Sequence, residues 1–501
     1  MIAFIFEKTI QPFLKTPLFL SPFQILFLIP ILTFKVPLAI TFLLVISLKL
    51  YHLPIEAVLQ YQLLLLQYIF FPSTTSYLTP SNYFTKRQKI HIYSLSLQFF
   101  LWSKPHYRKG SYSEDLSDNL RNVAIPGTGI SLKFLTFSSR FLALPFLLFG
   151  VPLLAAMNFL HLFWWKSLSV KEATQVFLSV LLEPTDWFSL WRLNCTVVAL
   201  HSLVNKNPKG YEMENKWTFL ETGKRLGVPV SPFLDTSQAK DLVIKHRNEE
   251  GGMGIFFYKN ATEGGNWIIQ ERIHNSDFVN SMLPPNAPLS TFRIITMSRS
   301  SLNLNERDLE IKKSDSHDSR DSDYGHNNID GDGEEDKVGS GIKALSCVFR
   351  AGRENAPTDH DSVLFDVDID TGLVGKGSTN SNWYKIGLHH ILSCPWRTND
   401  EDQRISHHPD SGKSKSVTGR KIEQISSMVK LVEESHRKMC PDVPFVGWDV
   451  VLSNDEEVPM CLLEVNLSCN FFRGSFNEKE YFSFIDEMFT ELGTKMAAKN
   501  K

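Results

Sequence analysis

Polar and apolar positions change rhythm several times along this chain. Residues 445–472 read FVGWDVVLSNDEEVPMCLLEVNLSCNFF. Two short apolar runs flank the turn-like SNDEEVP, which predicts two adjacent strands. Upstream, DLVIKH, GIFFYK, WIIQERI, STFRIITM, KALSCVFRAG and SVLFDVDIDTGLV carry the same strand signature, and VPVSPFL reads as a further strand. Helical spacing appears instead in KEATQVFLSVLLEPTDWFSLWRLNCTVVALHSLV, which Glu183-Pro184 interrupts. NKWTFLETGKRLG predicts an amphipathic helix in which Trp217, Leu220 and Lys224 follow helical steps and Gly227 closes the C-terminus. RKIEQISSMVKLVEESHRKM predicts another helix just before the final strand pair. There are no internal repeats.

Two stretches are far more apolar. From Thr16 to Leu48 the only formal charge is Lys35. That length could cross ~30 Å of hydrocarbon, although Pro17, Pro22, Pro30 and Pro37 work against a straight helix. Residues 141–165, FLALPFLLFGVPLLAAMNFLHLFWW, contain no Asp, Glu, Lys or Arg. Arg140 and Lys166 flank this run, and Trp164 and Trp165 end it, where interfacial aromatics belong. The expectation is a membrane span at 141–165, with a buried hairpin or an apolar surface helix as the alternative. A cleaved signal peptide is not expected, because Glu7 sits in the would-be n-region and no A-x-A site follows. The resulting divisions are a hydrophobic segment 1–70, a linker region 71–170 holding 141–165, an α/β part 171–300, an insert 301–341 and a second α/β part 342–495.

The insert is compositionally distinct. From about Leu302 to Gly341 the chain is rich in Asp, Ser, Asn and Gly and has almost no large apolar residues, the signature of a disordered acidic segment. Its DSDYGHNNIDGDGEED lacks the spacing of a calcium loop. A second polar loop spans about 398–417.

Charge and cysteines narrow the function. With 52 Lys+Arg against 54 Asp+Glu the net charge is -2, and no basic face points to nucleic acid. The six cysteines form neither a CxxC pair nor a zinc spacing, which suits reduced thiols in the cytosol. Polar residues inside strands are more informative. Asp449, Glu464 and Asn466 sit in the final pair, and a carboxylate in an apolar strand is costly unless something pairs with it. Glu464 and Asn466, two apart, share a face. Lys245 ends a strand just before Gly251, Gly252 and Gly254, a turn able to approach an anion closely. Gln270 and Glu271 end another strand, and Arg293, Arg350 and Arg353 lie in or beside strands, where they suit an internal anion or a salt bridge to Asp or Glu. Neither a Walker A loop nor GxGxxG occurs.

The order of these pieces resembles the ATP-grasp superfamily, and within it the sugar-transfer-associated group related to α-L-glutamate ligases. NKWTFLETGKRLGVPVSP, LVIKHRNEEGGMGI, WIIQERI, LSTFRIITM, FRAGRENAPTDH, DVDIDTG, VGWDVVL and LLEVNLS carry the likeness, over roughly 180–490. The resemblance implies an α+β fold in which two lobes hold ATP between them, preceded here by a hydrophobic, membrane-associated helical region. It implies that Asp449, Glu464 and Asn466 face Mg²⁺ on the ATP phosphates. Lys216 and Lys245 would contact the α and β phosphates, Gly251, Gly252 and Gly254 would cover the triphosphate, and Gln270 and Glu271 would meet adenine. Arg293, Arg350 and Arg353 become the catalytic candidates. The alternative for Asp449 and Glu464 is pairing with Arg293, Arg350 or Arg353. Asp359-His360 stands where the family often has Asp-Asn, and the acidic insert splits the region between Arg293 and Arg350. The implied activity is a ligase using ATP and Mg²⁺ on small-molecule carboxylate and amine substrates, in cell-surface polysaccharide or peptide-like conjugate synthesis. A membrane-anchored, non-catalytic nucleotide-binding module and a kinase-like enzyme are the rivals. The chain is expected at a membrane with its catalytic region facing the cytosol, and hence without glycan at Asn194, Asn260 or Asn466, each in a sequon.

Overall fold

The structure, a computed structural model, describes residues 55–70, 77, 83–121, 144–165, 167–184, 187–205, 208–233, 241–246, 255–259, 267–302, 341–359, 362–378, 404–414, 416–467 and 476–499. It is a mixed α/β architecture with two antiparallel sheets. The larger contains β4 (Thr291–Ser298), β5 (Ile342–Ala351), β6 (Val363–Val367), β7 (Val374–Ser378), β8 (Phe445–Leu452) and β9 (Met460–Asn466), in the order β7-β6-β5-β4-β8-β9. The smaller contains β1 (Asp241–His246), β2 (Ile255–Lys259) and β3 (Trp267–Glu271), in the order β2-β1-β3. β4 and β8 are buried at every position, as central strands covered on both faces should be.

Helix α9 (Ile425–Met439) packs on β4, β5 and β8. Its buried Ile425, Met428, Val432, Ser435, His436 and Met439 recur at steps of three and four, so one stripe faces the sheet. His436 Nδ1 lies 2.7 Å from Thr296 Oγ1, which also accepts from Trp448 Nε1 at 2.9 Å. Trp448 therefore points toward α9. Its neighbour Asp449 points to the opposite face, where the polar strand residues gather. The expected strand over VPVSPFL is reduced to two isolated bridges, Val230 to Leu462 and Phe233 to Gln270, because Pro229 and Pro232 remove ladder donors.

The N-terminal helices pack on one another and on the C-terminal helix. They are α1 (Ile55–Phe70), α2 (Lys86–Leu101), α3 (Tyr112–Arg121), α4 (Val151–Trp165), α5 (Val170–Leu182) and α6 (Trp187–Val204). α6 packs against α2 and the C-terminal α10 (Glu478–Lys499), and α4 packs on α5. The remaining helices are α7 (Lys216–Arg225) and the single turn α8 (Asp277–Asn280).

The expected span at 141–165 is described over residues 144–165. Leu144–Pro145, a π-helical turn at Phe146–Gly150 and α4 follow one another without a break. No helix among the described residues is long and apolar enough to cross a membrane. Among the described side chains of α4, Ala155 and Phe159 are fully buried. The π turn widens the backbone ladder, and α1 answers it. Tyr61 Oη donates to the Leu147 carbonyl at 2.9 Å and Gln62 Nε2 to the Leu148 carbonyl at 2.7 Å. The apolar run 16–48 and the glycine turn at 251–254 lie outside the described residues.

Two outcomes follow from these contacts. Residues 303–340 also lie outside the described set, but their flanks are joined: Arg299 N donates to Gly341 O at 2.6 Å, and β4 pairs directly with β5. Replacing 303–340 by a short Gly-Ser bridge is expected to leave the melting temperature within a few degrees; loss of soluble protein would show that the insert packs on the core. The second outcome concerns acid. Burial lowers His201 to about 3 and His436 to about 4, so both fold as neutral imidazoles. The unfolded chain protonates them near 6.5, so the stability they contribute is full above that pH and drains as pH falls below it. At pH 5 each costs about 2 kcal/mol. Urea midpoints at pH 7 and pH 5 should differ accordingly, and His436→Gln should remove only its own share, about 2 kcal/mol, of the difference; a parallel profile would remove His436 from the account.

Candidate functional site

The site begins with strand register. Arg293 on β4 lies opposite Asp449 on β8, and Asp449 lies opposite Glu464 on β9, so three charged residues form one row across three strands. A bulge follows: Val450 pairs with Leu462, leaving Leu463 as the extra residue. Asn466, two positions beyond Glu464 and opposite Gly447, shares that face. Arg350 on β5 is opposite Thr291, also on the row's face.

Side-chain geometry follows the register. The Arg293 guanidinium grips Asp449 with two bonds, from Nε to Oδ1 and from Nη2 to Oδ2, the latter at 3.0 Å. Arg350 Nη1 donates to the same Oδ2 at 3.0 Å. Its Nη2 donates to Asp359 Oδ1 at 3.2 Å, and Asp359 Oδ2 accepts from Thr291 Oγ1 at 2.7 Å. Lys216, at the first position of α7, reaches Glu464 Oε2 at 3.5 Å, while Asn466 Nδ2 lies 3.4 Å from Glu464 Oε1. α7 starts there because Asn215 caps it, its Oδ1 accepting from Trp217 N and Thr218 N.

Lys245 comes from the smaller sheet. It pairs with Ile255 on β2 and Ile268 on β3 and is buried. Val243, Lys245 and Gln270 share one face of that sheet and line a cavity of about 390 Å³. Its other walls include Glu271, Arg272, Asn286, Asp359 and the bulged Leu463. Gln270 is buried, and its Nε2 donates to Ser231 Oγ at 2.9 Å, while Glu271 is exposed at the rim.

The electrostatics are those of a cationic pocket with an acid in it. Burial lowers Lys245 to about 8, against the pull of Glu464 and with the push of Lys216. Burial drives Glu464 up, but Lys216, Lys245, Arg293 and Arg350 together hold it well below the usual carboxylate range. Burial pushes Asp449 upward against its two arginines.

Of the residues singled out from sequence, Lys216, Lys245, Arg293, Arg350, Asp449, Glu464 and Asn466 converge, and Gln270 and Glu271 line the adjoining cavity. Gly251, Gly252 and Gly254 lie outside the described residues. Arg353 does not join the row: Asp410 binds it bidentately at 2.7 and 2.6 Å, because Arg353 falls after β5 ends. Asp449 faces Arg293 and Arg350, the alternative pairing, so both its oxygens are already acceptors. Among the described residues no group of three or more His, Cys, Asp and Glu could hold a metal. The fit to Mg²⁺ is therefore Glu464 with Asn466, a pattern that suits a cation taking its other oxygens from phosphates and water. Asp359 was named from sequence only at the family's Asp-Asn position, without a role. It lies nine residues beyond Arg350, and only the loop after β5 folds it back.

No family model matches this chain, and no curated protein matches it. Among solved structures it is similar to the crystal structure of an L-amino acid ligase from Bacillus licheniformis, at 12% identity and a TM-score of 0.25. That likeness covers 55% of this chain and 46% of the ligase chain, so about half of the ligase's length is matched. The functional reading rests on this chain's own residues.

Proposed function

We propose that this chain is an ATP-grasp enzyme of ligase type. The observation that carries the reading is the meeting of Lys216, Lys245, Arg293 and Arg350 with Glu464 beside a cavity of about 390 Å³. Four cations, one of them a buried lysine, outnumber Asp359, Asp449 and Glu464 and suit a polyphosphate. The apolar and amide-lined part of the cavity (Val243, Ile255, Phe257, Gln270) suits a planar base.

In this reading Lys216 and Lys245 bind phosphate oxygens as point charges, and Arg350 donates to the transferring group. Arg293 holds Asp449, and with it the sheet face, in place. Glu464 and Asn466 would hold Mg²⁺, which when bound neutralises charge on the phosphates. The γ-phosphoryl group passes from ATP to a substrate carboxylate oxygen, giving ADP and an acyl phosphate. An amine then attacks the carbonyl carbon, expels phosphate and loses a proton, leaving an amide. Positioning and charge neutralisation supply most of the catalysis in such a transfer.

The test is ADP release by the full-length protein with Mg²⁺, screened against amino acids and sugar acids as carboxylates, with hydroxylamine to trap acyl phosphate. Hydroxamate formation dependent on a carboxylate is the expected result. Failure to bind ATP at all, by calorimetry, would refute the reading. ADP release that yields a stable phosphorylated product would make the enzyme a kinase.

A further inference from the structure

A second charged network lies outside the pocket, and its contacts run to both ends of the pocket's acidic corner. Arg108, in the loop between α2 and α3, donates through Nε to Asp115 Oδ1 at 2.7 Å, through Nη2 to Asn119 Oδ1 at 2.9 Å and through Nη1 to Glu214 Oε1 at 3.1 Å. The other oxygen of Glu214 accepts from the backbone N–H of Leu467 at 2.9 Å. The loop is braced beside this link, where the Tyr107 and Tyr211 rings lie 4.7 Å apart. Glu214 is mostly buried, with 9% of its side chain exposed, and Asp115 is almost completely buried.

The chain positions give this network its meaning. Glu214 ends the 3₁₀ turn Tyr211–Glu214; Asn215 caps α7, and Lys216 follows. Leu467 directly follows Asn466. One carboxylate therefore ties the chain two residues before Lys216 to the chain one residue after Asn466. Both of those side chains contact Glu464. A buried carboxylate with one bond to a guanidinium and one to an amide has no slack, and such charge-assisted bonds are the stronger kind.

We infer that Glu214, held by Arg108, is a positioning residue that sets the separation of Lys216 from the Glu464–Asn466 strand end, so that the N-terminal helical region is a working part of the nucleotide site. The inference rests on the nucleotide reading of that site. Glu214→Gln keeps the shape but puts an NH₂ against a donor, either Arg108 or the Leu467 amide, so one side of the tie must open. Arg108→Lys keeps the charge but loses the fork that reaches Asp115, Asn119 and Glu214 together.

The experiment measures ADP release against ATP concentration for full-length wild type and both variants, with melting temperature and hydrogen exchange of the 460–467 strand measured alongside. At a temperature where all three are folded, KM for ATP should rise on the order of tenfold in Glu214→Gln and less in Arg108→Lys. The Leu467 amide should exchange faster in both. A purely structural role would lower kcat in proportion to the folded fraction and leave KM unchanged, and that result overturns the inference. Should Glu214→Gln fail to fold, Arg108→Lys alone decides between the same two outcomes. A wild type that does not bind ATP overturns the nucleotide reading and the inference with it; a wild type that binds, with variants of unchanged KM, overturns the inference alone.

Discussion

Arg293→Met is expected to lower the unfolding free energy by about 3–5 kcal/mol, the usual consequence of removing one partner from a buried ion pair. Arg293 supplies two of the three guanidinium bonds to Asp449, and Asp449 is buried between β4 and β9. Burial already pushes that carboxyl upward, so without Arg293 it should take up a proton or draw in water, and either response costs stability. Urea denaturation of the single mutant, of Asp449→Leu and of the double mutant separates the pair from its burial cost. The double mutant should recover much of the loss, since an apolar pair of similar volume carries no desolvation penalty. A single-mutant loss below about 1 kcal/mol would mean that Arg350 alone satisfies Asp449.

Glu464→Gln is expected to reduce Mg²⁺-dependent ADP release by about a hundredfold or more, because it removes the carboxylate best placed to share a cation with phosphate. The same substitution should leave Mg²⁺-free binding of tripolyphosphate intact or tighten it by a few fold. Glu464 is held ionised by Lys216, Lys245, Arg293 and Arg350, so its loss leaves Lys216 and Lys245, which Asp449 does not bind, freer for an anion. The two readouts move in opposite directions only if Glu464 serves a metal. Equal ADP release by mutant and wild type at saturating Mg²⁺ would end the metal assignment. Loss of tripolyphosphate binding would instead make Glu464 the group that orients Lys216.

Local pattern carried much of the fold. The strands at 291–298 and 445–466 and the helix at 425–439 were legible because their periods of two and 3.6 depend only on nearby residues. Lys245, Glu464 and Asn466 could be chosen for the same reason, since a polar residue inside an apolar strand stands out without knowledge of its neighbours, whereas Lys216 was reached through the family resemblance. What faces a residue was not legible. Arg293 and Asp449 are 156 positions apart, and only the β4–β8 register brings the guanidinium to the carboxylate that sequence alone left open to a metal. Arg353 has the same chemistry as Arg350, yet β5 ends at Ala351, so Arg353 turns away to Asp410. The composition of the apolar run at 141–165 records a need for burial without naming what meets it. In the folded chain α1 and α5 meet part of that need, with Tyr61 and Gln62 taking up the carbonyls of the π turn. The sequence by itself determined the elements and the chemistry available to them, since both are set by short-range sterics and residue type. The pairing of Asp449 with arginine, the recruitment of Asp359 and the tie through Glu214 were decided only by tertiary structure, because each depends on backbone segments that strand register and helix packing bring together from distant parts of the chain.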